Sequence, residues 1–503
     1  MGLLVKGADL LCQTGGSFRI QRSERQQYHC PRPICRDTAA CCSTRVLGCR
    51  SIVPPPKLLT ADKPLPCRSF GLSLLGRQRS AVRVLFIHQN FPAQYRHLAR
   101  ALRSRGDTVQ AIAAPQAGAV QGVELLRYRL PDAAAVPPVH PWASDFQIKV
   151  FRAEAVLALL QQRADTLLKP DLILGHPGWG ELLTIKDHWP DVPVLHQLEF
   201  VYQLEGGDSG FDPEFPLLAA ARSRLRLRRV HQLLAFHDLD WALAPTNWQA
   251  RTAPAQFHDR VSVIHEGIDT ATIAPKPGSS ISLGKRKIRF EPGDELVSFV
   301  ARNLEPYRGF HSFLRSLPLL QRLRPRAHVI VVGGEGVSYG SPPSDGRSWK
   351  QVLLAELEGQ LDLSRIHFVG KVPHGVLHDL FRVCACHVYL TYPFVLSWSL
   401  LEAMACGAVV IGSNTPPLAE VIQHGHNGLL VDFFSPAALA EQMAAVLADP
   451  GAHHPLGQQA RRSVVERFDL EHICLPRQLE LVDWLAAGGS DTSRPAPYPL
   501  VKG

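Results

Sequence analysis

The chain has 503 residues, of which 46% are apolar and 20% charged, and a formal net charge of +9. That length is too great for one ordinary domain, and the apolar content supplies two or three cores. A basic excess first suggests a nucleic-acid or membrane partner. However, residues 1–80 hold 13 Lys and Arg against four acids, and the rest of the chain carries 41 bases and 41 acids. The body is neutral, which excludes nucleic acid as its partner.

The first 80 residues also hold seven of the eleven cysteines, at irregular spacings among prolines 31, 33, 54, 55, 56, 64 and 66. A zinc or disulfide module needs regular spacing and a local core. Residues 1–80 are therefore read as a disordered basic Cys/Pro-rich extension, or as an upstream stretch outside the working protein. No methionine lies between Met1 and Met404, and Val82 is a candidate alternative start. No apolar run reaches the roughly 18 residues of a membrane span, and Lys6 and Asp9 interrupt any signal-peptide core. The expected setting is soluble, reducing and cytoplasmic, with peripheral contact at the inner face of a membrane as the second reading.

Folded structure is expected to start at Ala81–His88, a strand followed by a helix from about Gln94 to Arg105. Strand-like and helix-like segments then alternate: Val109–Ala114, a helix around Phe151–Leu168, Leu172–Gly175, Val192–His196, a long helix from Pro216 to about Ala235, and a strand at Ala242–Pro245. This is the βαβ rhythm of a doubly wound parallel sheet. Val261–Asp269 closes a first domain spanning 81–270, and the Pro-, Gly- and Ser-containing stretch 271–292 reads as a linker. A second alternating set occupies 293–470, with strands at Leu296–Val300, His328–Val332, Ile366–Val369, His387–Leu390 and Ala408–Ile411 and a last helical stretch from Ala437 to Phe468. A segment at 471–487 and a loose Pro/Ser-rich tail at 488–503 complete the chain.

The stretch Tyr392–Asn414 carries the most information. Ser397 or Ser399 as N-cap, apolar Leu400, Leu401 and Met404, and Gly407 as a left-handed stop define a short helix. Ala408–Ile411 then fits a strand buried on both faces. A helix that starts at the carboxyl edge of such a sheet aims free N–H groups into the ligand crevice, where an anion such as phosphate is the expected occupant. Glu402 lies inside this helix. The run Glu402-Ala-Met-Ala-Cys-Gly407 resembles the second half of the signature of glycosyltransferase family 4 (group 1), the large family with the two-domain GT-B fold. Its first glutamate, eight positions earlier, is replaced here by Phe394. The start Phe86-Ile-His-Gln-Asn-Phe-Pro-Ala-Gln94 resembles a bacterial subgroup of that family.

The resemblance covers about 82–485 and implies two Rossmann-like domains facing across a cleft, with 471–487 crossing back to the first domain. Arg302 and Arg308, around the turn after the first strand of the second domain, stand where the family places an Arg and a Lys on the diphosphate, and arginine forks suit phosphate oxygens. Glu402 would hold a ribose diol. Ser397, Trp398, Ser399 and Leu400 would meet phosphate, and Lys371 would pack near the base. His176, five residues after Asp171, corresponds to the family's catalytic-site histidine. By position alone, His176 reads as a packed core histidine and Glu402 as an exposed helix residue.

Five acids from Glu199 to Glu214 read as a solvated or acceptor-binding loop, and the arginines from 222 to 229 as a solvated face with lipid or phosphate contact second. Gly333-Gly-Glu-Gly336 reads as a turn, and Cys384, Cys386, Cys406 and Cys474 as small core residues. The expected activity is that of a retaining, nucleotide-sugar-dependent, hexosyltransferase-like glycosyltransferase in polysaccharide or glycolipid biosynthesis. Its hydroxyl acceptor would be a saccharide, a lipid-linked sugar or a small molecule. No cofactor and no metal are expected. The alternatives are a nucleotide-sugar epimerase or hydrolase, or a non-catalytic nucleotide-sugar binding protein, on the same scaffold.

Overall fold

The computed structural model describes residues 80–132, 137–284, 288–489 and 496–500. The expectation of a disordered extension therefore falls outside the described residues. The residues from Ser80 onward form one compact unit.

Seven parallel strands build the first sheet: β1 (Arg83–Ile87), β2 (Thr108–Ala113), β3 (Glu124–Arg127), β4 (Leu172–Gly175), β5 (Val194–Gln197), β6 (Trp241–Ala244) and β7 (Val261–Val263), in the order β3-β2-β1-β4-β5-β6-β7. Alternation along β1 sends Val84 and Phe86 to one apolar layer and Leu85 and Ile87 to the other. Both faces of the sheet are thus covered, as a parallel sheet requires. A short antiparallel hairpin follows, β8 (Ile281–Leu283) with β9 (Ile288–Phe290). It falls inside the stretch expected to be linker, because Ile281 and Phe290 alternate with polar residues and bury themselves against the second domain.

The second sheet consists of β10 (Leu296–Asn303), β11 (His328–Gly334), β12 (Ile366–Gly370), β13 (Cys386–Tyr389), β14 (Val410–Ser413) and β15 (Leu429–Val431), in the order β12-β11-β10-β13-β14-β15, all parallel. Strand order reverses between β1 and β4 in the first sheet and between β10 and β13 in the second. Ligands of open α/β sheets bind at the carboxyl ends of strands at such reversals. The fold therefore marks two places, the loops after β1 and β4 and the loops after β10 and β13.

The helix Leu475–Ala486 returns to the first domain, where Leu481, Val482 and Leu485 are fully buried in its core. The far tail differs from expectation. Residues 496–500 are tied to the edge of β7, with the Val263 N–H donating to the Tyr498 carbonyl at 2.8 Å and the Leu500 N–H to the Val261 carbonyl at 3.0 Å. An exposed strand edge offers unpaired backbone groups, so even a Pro-rich segment docks there. Two long helices expected from periodicity are each broken in two. Ala219–Arg228 and Val230–His237 meet at Arg229, and Pro436–Ala448 and Pro450–Phe468 meet at Asp449, whose carboxylate caps the second by accepting from the Ala452 N–H at 2.9 Å. Cys386 and Cys406 are core residues, as expected of them, and Cys384 and Cys474 are buried too.

Candidate active site

On the second domain the chain leaves β10 through Leu304-Glu-Pro-Tyr-Arg-Gly309. Gly309 has φ +67°, and a Cβ there would lie 2.3 Å from the Leu390 Cβ, so only glycine lets this turn pass under the loop after β13. Glu305 is fully buried and accepts hydrogen bonds from the N–H groups of Ser338 (2.9 Å), Tyr339 (3.2 Å) and Gly340 (2.9 Å). It locks the loop after β11 over the turn.

The two arginines part company. Arg302, at the end of β10, is exposed. Arg308 is buried beneath the loop after β13, where its Nη1 donates to Thr391 Oγ1 (2.8 Å) and the Val395 carbonyl (3.0 Å). The guanidinium lies over the rings of Tyr339 (5.0 Å) and Phe394 (5.7 Å). Its charge is therefore both a field under the loop and a peg that holds it.

The helix Trp398–Ala405 begins at Ser397, whose N–H donates to the Tyr389 hydroxyl at 2.7 Å. Ser397 shows no side-chain cap; its hydroxyl meets that of Ser399 at 2.6 Å. The first N–H groups of a helix have no intrahelical acceptor, so Trp398 and Ser399 present theirs at the carboxyl edge of the sheet. Leu400, expected at the phosphate, is instead turned wholly into the core, and its N–H donates to the Ser397 carbonyl at 3.2 Å. The apolar requirement of the helix face overrides a ligand role there. Gly407 stops the helix at φ +82°.

Glu402 is almost buried, with its Oε2 3.8 Å from His378 Nε2 on the helix His374–Val383. Lys371 lies just beyond β12 and is exposed. The Gly333-Gly334 pair at the end of β11 is more than a turn. A Cβ on Gly334 would come within 2.5 Å of Asn303 Oδ1 and 2.9 Å of Lys371 Cε. Glycine keeps this rim thin where Lys371 crosses it. Phe394 is packed against Phe200, Tyr307 and Tyr339 at 5.0, 5.1 and 4.9 Å between ring centroids.

Across the cleft, β4 ends at Gly175 and delivers His176. Its Nδ1 accepts from the Gly178 N–H at 2.9 Å, which leaves Nε2 to point at Glu199 Oε2, 3.3 Å away. Burial opposes the charge on Glu199, but His176, with Arg302 contributing from the other domain, outweighs it and holds the carboxyl below its ordinary range. His88, after β1, sits edge-on to His176 at 6.0 Å. Burial, then the neighbouring His176, push its pKa down to about 3, so it is neutral. Glu266, after β7, is pushed the other way, up to about 7, by burial, with a hydrogen bond from the Trp398 side chain working against it. His88 and Glu266 were not singled out from the sequence. The one signal available for both was position, just past the carboxyl end of a strand.

The acidic loop is only partly solvated, since Asp208 and Asp212 are buried. Asp212 is buried and accepts from His311 Nε2 (2.9 Å) and the Tyr392 hydroxyl (2.8 Å), both on the second domain. The Tyr307 hydroxyl bonds to Asp208, and Glu214 takes a two-pronged ion pair from Arg315 at 2.6 and 2.9 Å. Phe211 enters a nest of Tyr392, Phe433 and Phe434. Glu205 and Glu214 are exposed, as expected of solvated residues, and Glu205 pairs with Arg222 on the surface.

Comparison with known proteins agrees with this geometry. Residues 105–273 match "Glycosyl transferase family 4 group", and residues 284–463 match "Glycosyl transferases group 1". The chain is similar to a D-inositol 3-phosphate glycosyltransferase of Streptomyces bingchenggensis, at 29% identity over 41% of this chain and 44% of that protein. It is also similar to one of Kribbella flavida, at 26% over 59% of this chain and 68% of that protein. It thus spans less than half the length of the first of these relatives. Among solved structures, a sucrose-phosphate synthase from Thermosynechococcus elongatus superposes with TM-score 0.61 at 17% identity, covering 80% of this chain and 99% of the other. Anabaena HepE in complex with UDP superposes with TM-score 0.55 at 18% identity, covering 80% and 100%. The fold is GT-B. The chain carries a match to a family 4 group domain followed by a match to a group 1 domain.

Proposed function

We propose that the protein is a retaining glycosyltransferase that moves a sugar from a nucleoside diphosphate donor, most simply a UDP-sugar, to a hydroxyl acceptor in polysaccharide or glycolipid biosynthesis. The observation that carries this reading is the pairing of two strand-order reversals. The N–H groups of Trp398 and Ser399, with Glu402 beneath them, stand on one; His176 stands on the other, with Glu199 beside it just after β5. HepE is described in complex with UDP and with UDP-glucose, which supports uracil as the base.

In this reading the ribose diol takes the Glu402 carboxylate, whose two oxygens suit two hydroxyls. Helix N–H groups and Arg302 offset the charge that develops on the leaving diphosphate. Arg308 holds the loop that presents them. His176, oriented by Gly178 and Glu199, positions the sugar from the acceptor side. The leaving phosphate accepts the acceptor's proton, so no side-chain nucleophile is needed. Contact between the rings of Phe200 and Phe394 supports closure of the cleft and exclusion of water.

Contact with a lipid surface is supported by Leu218, Leu227, Val230, Leu233 and Leu234, all exposed beside the arginines of 222–229. Among the described residues no helix is long and apolar enough to cross a membrane.

The test is nucleotide release from UDP-sugars with and without a hydroxyl acceptor, with the product anomer read by NMR. Acceptor-dependent release and a product anomer matching the donor's are expected. Turnover without any acceptor would instead indicate an epimerase or hydrolase, and tight binding without turnover a binding protein.

A further inference from the structure

His374 and His378 lie four residues apart on the helix His374–Val383, hence on one face, and Glu402 faces them from the helix Trp398–Ala405. One ligand atom from each of the three lies within 4.8 Å of the other two. His378 Nε2 is buried yet has no hydrogen-bond partner, and Glu402 Oε2 stands 3.8 Å from it. A buried polar atom without a partner is unfavourable, so the position is poised for a ligand. The one cation on the same helix turn, Arg382, is already engaged by Asp379 at 2.8 Å and the Ala274 carbonyl at 2.7 Å. It does not neutralise Glu402.

We propose that His374, His378 and Glu402 form a three-ligand site for a divalent transition ion of the zinc type, and that the ion and the donor nucleotide exclude one another there. Two imidazoles and a carboxylate suit zinc, whereas magnesium prefers an all-oxygen shell. Zinc bonds of about 2.0–2.1 Å place tetrahedral ligand atoms about 3.3 Å apart. The present separations reach at most 4.8 Å, and His374, being exposed, has room to draw in. Three protein ligands leave one coordination position open to the cleft.

The other cluster of similar composition, Asp212, Glu214 and His311, carries no such inference. There His311 Nε2 already bonds Asp212 at 2.9 Å, and the Tyr392 hydroxyl and Glu214 N–H take further Asp212 positions at 2.8 and 2.9 Å.

The exclusion part rests on the reading of Glu402 as the ribose ligand, since a carboxylate bound to metal is withdrawn from the diol. The test is calorimetric titration of zinc chloride into the full chain, with reactive thiols blocked by iodoacetamide because seven of the eleven cysteines lie in residues 1–80. One binding event is expected. It should weaken at least about tenfold in His378→Ala and in His374→Ala, the latter an exposed change that spares the fold. The UDP dissociation constant, corrected for zinc–UDP association in buffer, should rise with zinc in the wild type and stay constant in the double variant. Equal zinc binding by wild type and double variant would overturn the site. UDP affinity indifferent to saturating zinc would overturn the exclusion. Absence of UDP binding even without zinc would contradict the nucleotide reading alone, and the zinc isotherms would still judge the site.

Discussion

Arg302 and Arg308 are six positions apart in one turn, yet they are different instruments. Arg302 projects from the strand end toward the cleft, and its charge reaches Glu199 on the opposite domain. Arg308 is buried, bonded to Thr391 and Val395, and roofed by two aromatic rings. Arg302→Ala is therefore expected to lower sugar transfer by about two orders of magnitude with an unchanged melting temperature. Arg308→Ala should lower both transfer and stability, the latter by about 2–4 kcal/mol, because it leaves buried acceptors unmatched and a void under the loop. Turnover assays and thermal melts on the two variants separate these outcomes; equal melting temperatures would contradict the peg role. Phe394 belongs to the same roof. Where the resembled signature has a glutamate, this chain has a ring packed on Phe200 of the first domain, so under the proposed function the donor sugar would meet an apolar wall.

At the scale of elements, the loop from Leu198 to Leu217 is one of the pieces that join the domains. Asp212 binds His311 and Tyr392 of the second domain in a buried setting, and removing one partner of such a set leaves the others unpaired. Asp212→Ala should cost about 3–5 kcal/mol and expose the loop to limited proteolysis, whereas Glu205→Ala should change neither. Cleavage at the same rate in both variants would contradict a clasp.

This loop also shows where reading the sequence stops. The helix Trp398–Ala405 was legible because its stop signal, apolar face and following strand are all local. Asp212 was not, since its partners His311 and Tyr392 lie 99 and 180 residues away and nothing in the acidic spacing points to them. The short strands β3 and β15 and the hairpin were missed for a related reason. They are short and lie at sheet edges or apart from the main sheets, where no long buried apolar run is required to mark a strand. Leu400 went the other way: resemblance placed it at the phosphate, and core packing took it.

At the scale of the whole molecule, two parallel sheets present their order reversals to one cleft, and a helix near the chain's end re-enters the first domain to complete its core. The alternation of strands and helices announced this architecture, because it follows from local periodicity and from the packing of parallel sheets. The pairing of His176 with Glu199, and the company of His88 and Glu266, needed the three-dimensional arrangement.

The central claim is that a nucleoside diphosphate occupies the second domain with its ribose on Glu402 and its phosphates at Trp398 and Ser399. It is tested most directly by calorimetric titration of UDP into the wild type and Glu402→Ala. The account predicts one site in the wild type and a loss of affinity of about tenfold or more in the variant, the equivalent of about 1.4 kcal/mol or more. Equal affinity in the two proteins, or no binding of UDP, ADP or GDP by either, would contradict it.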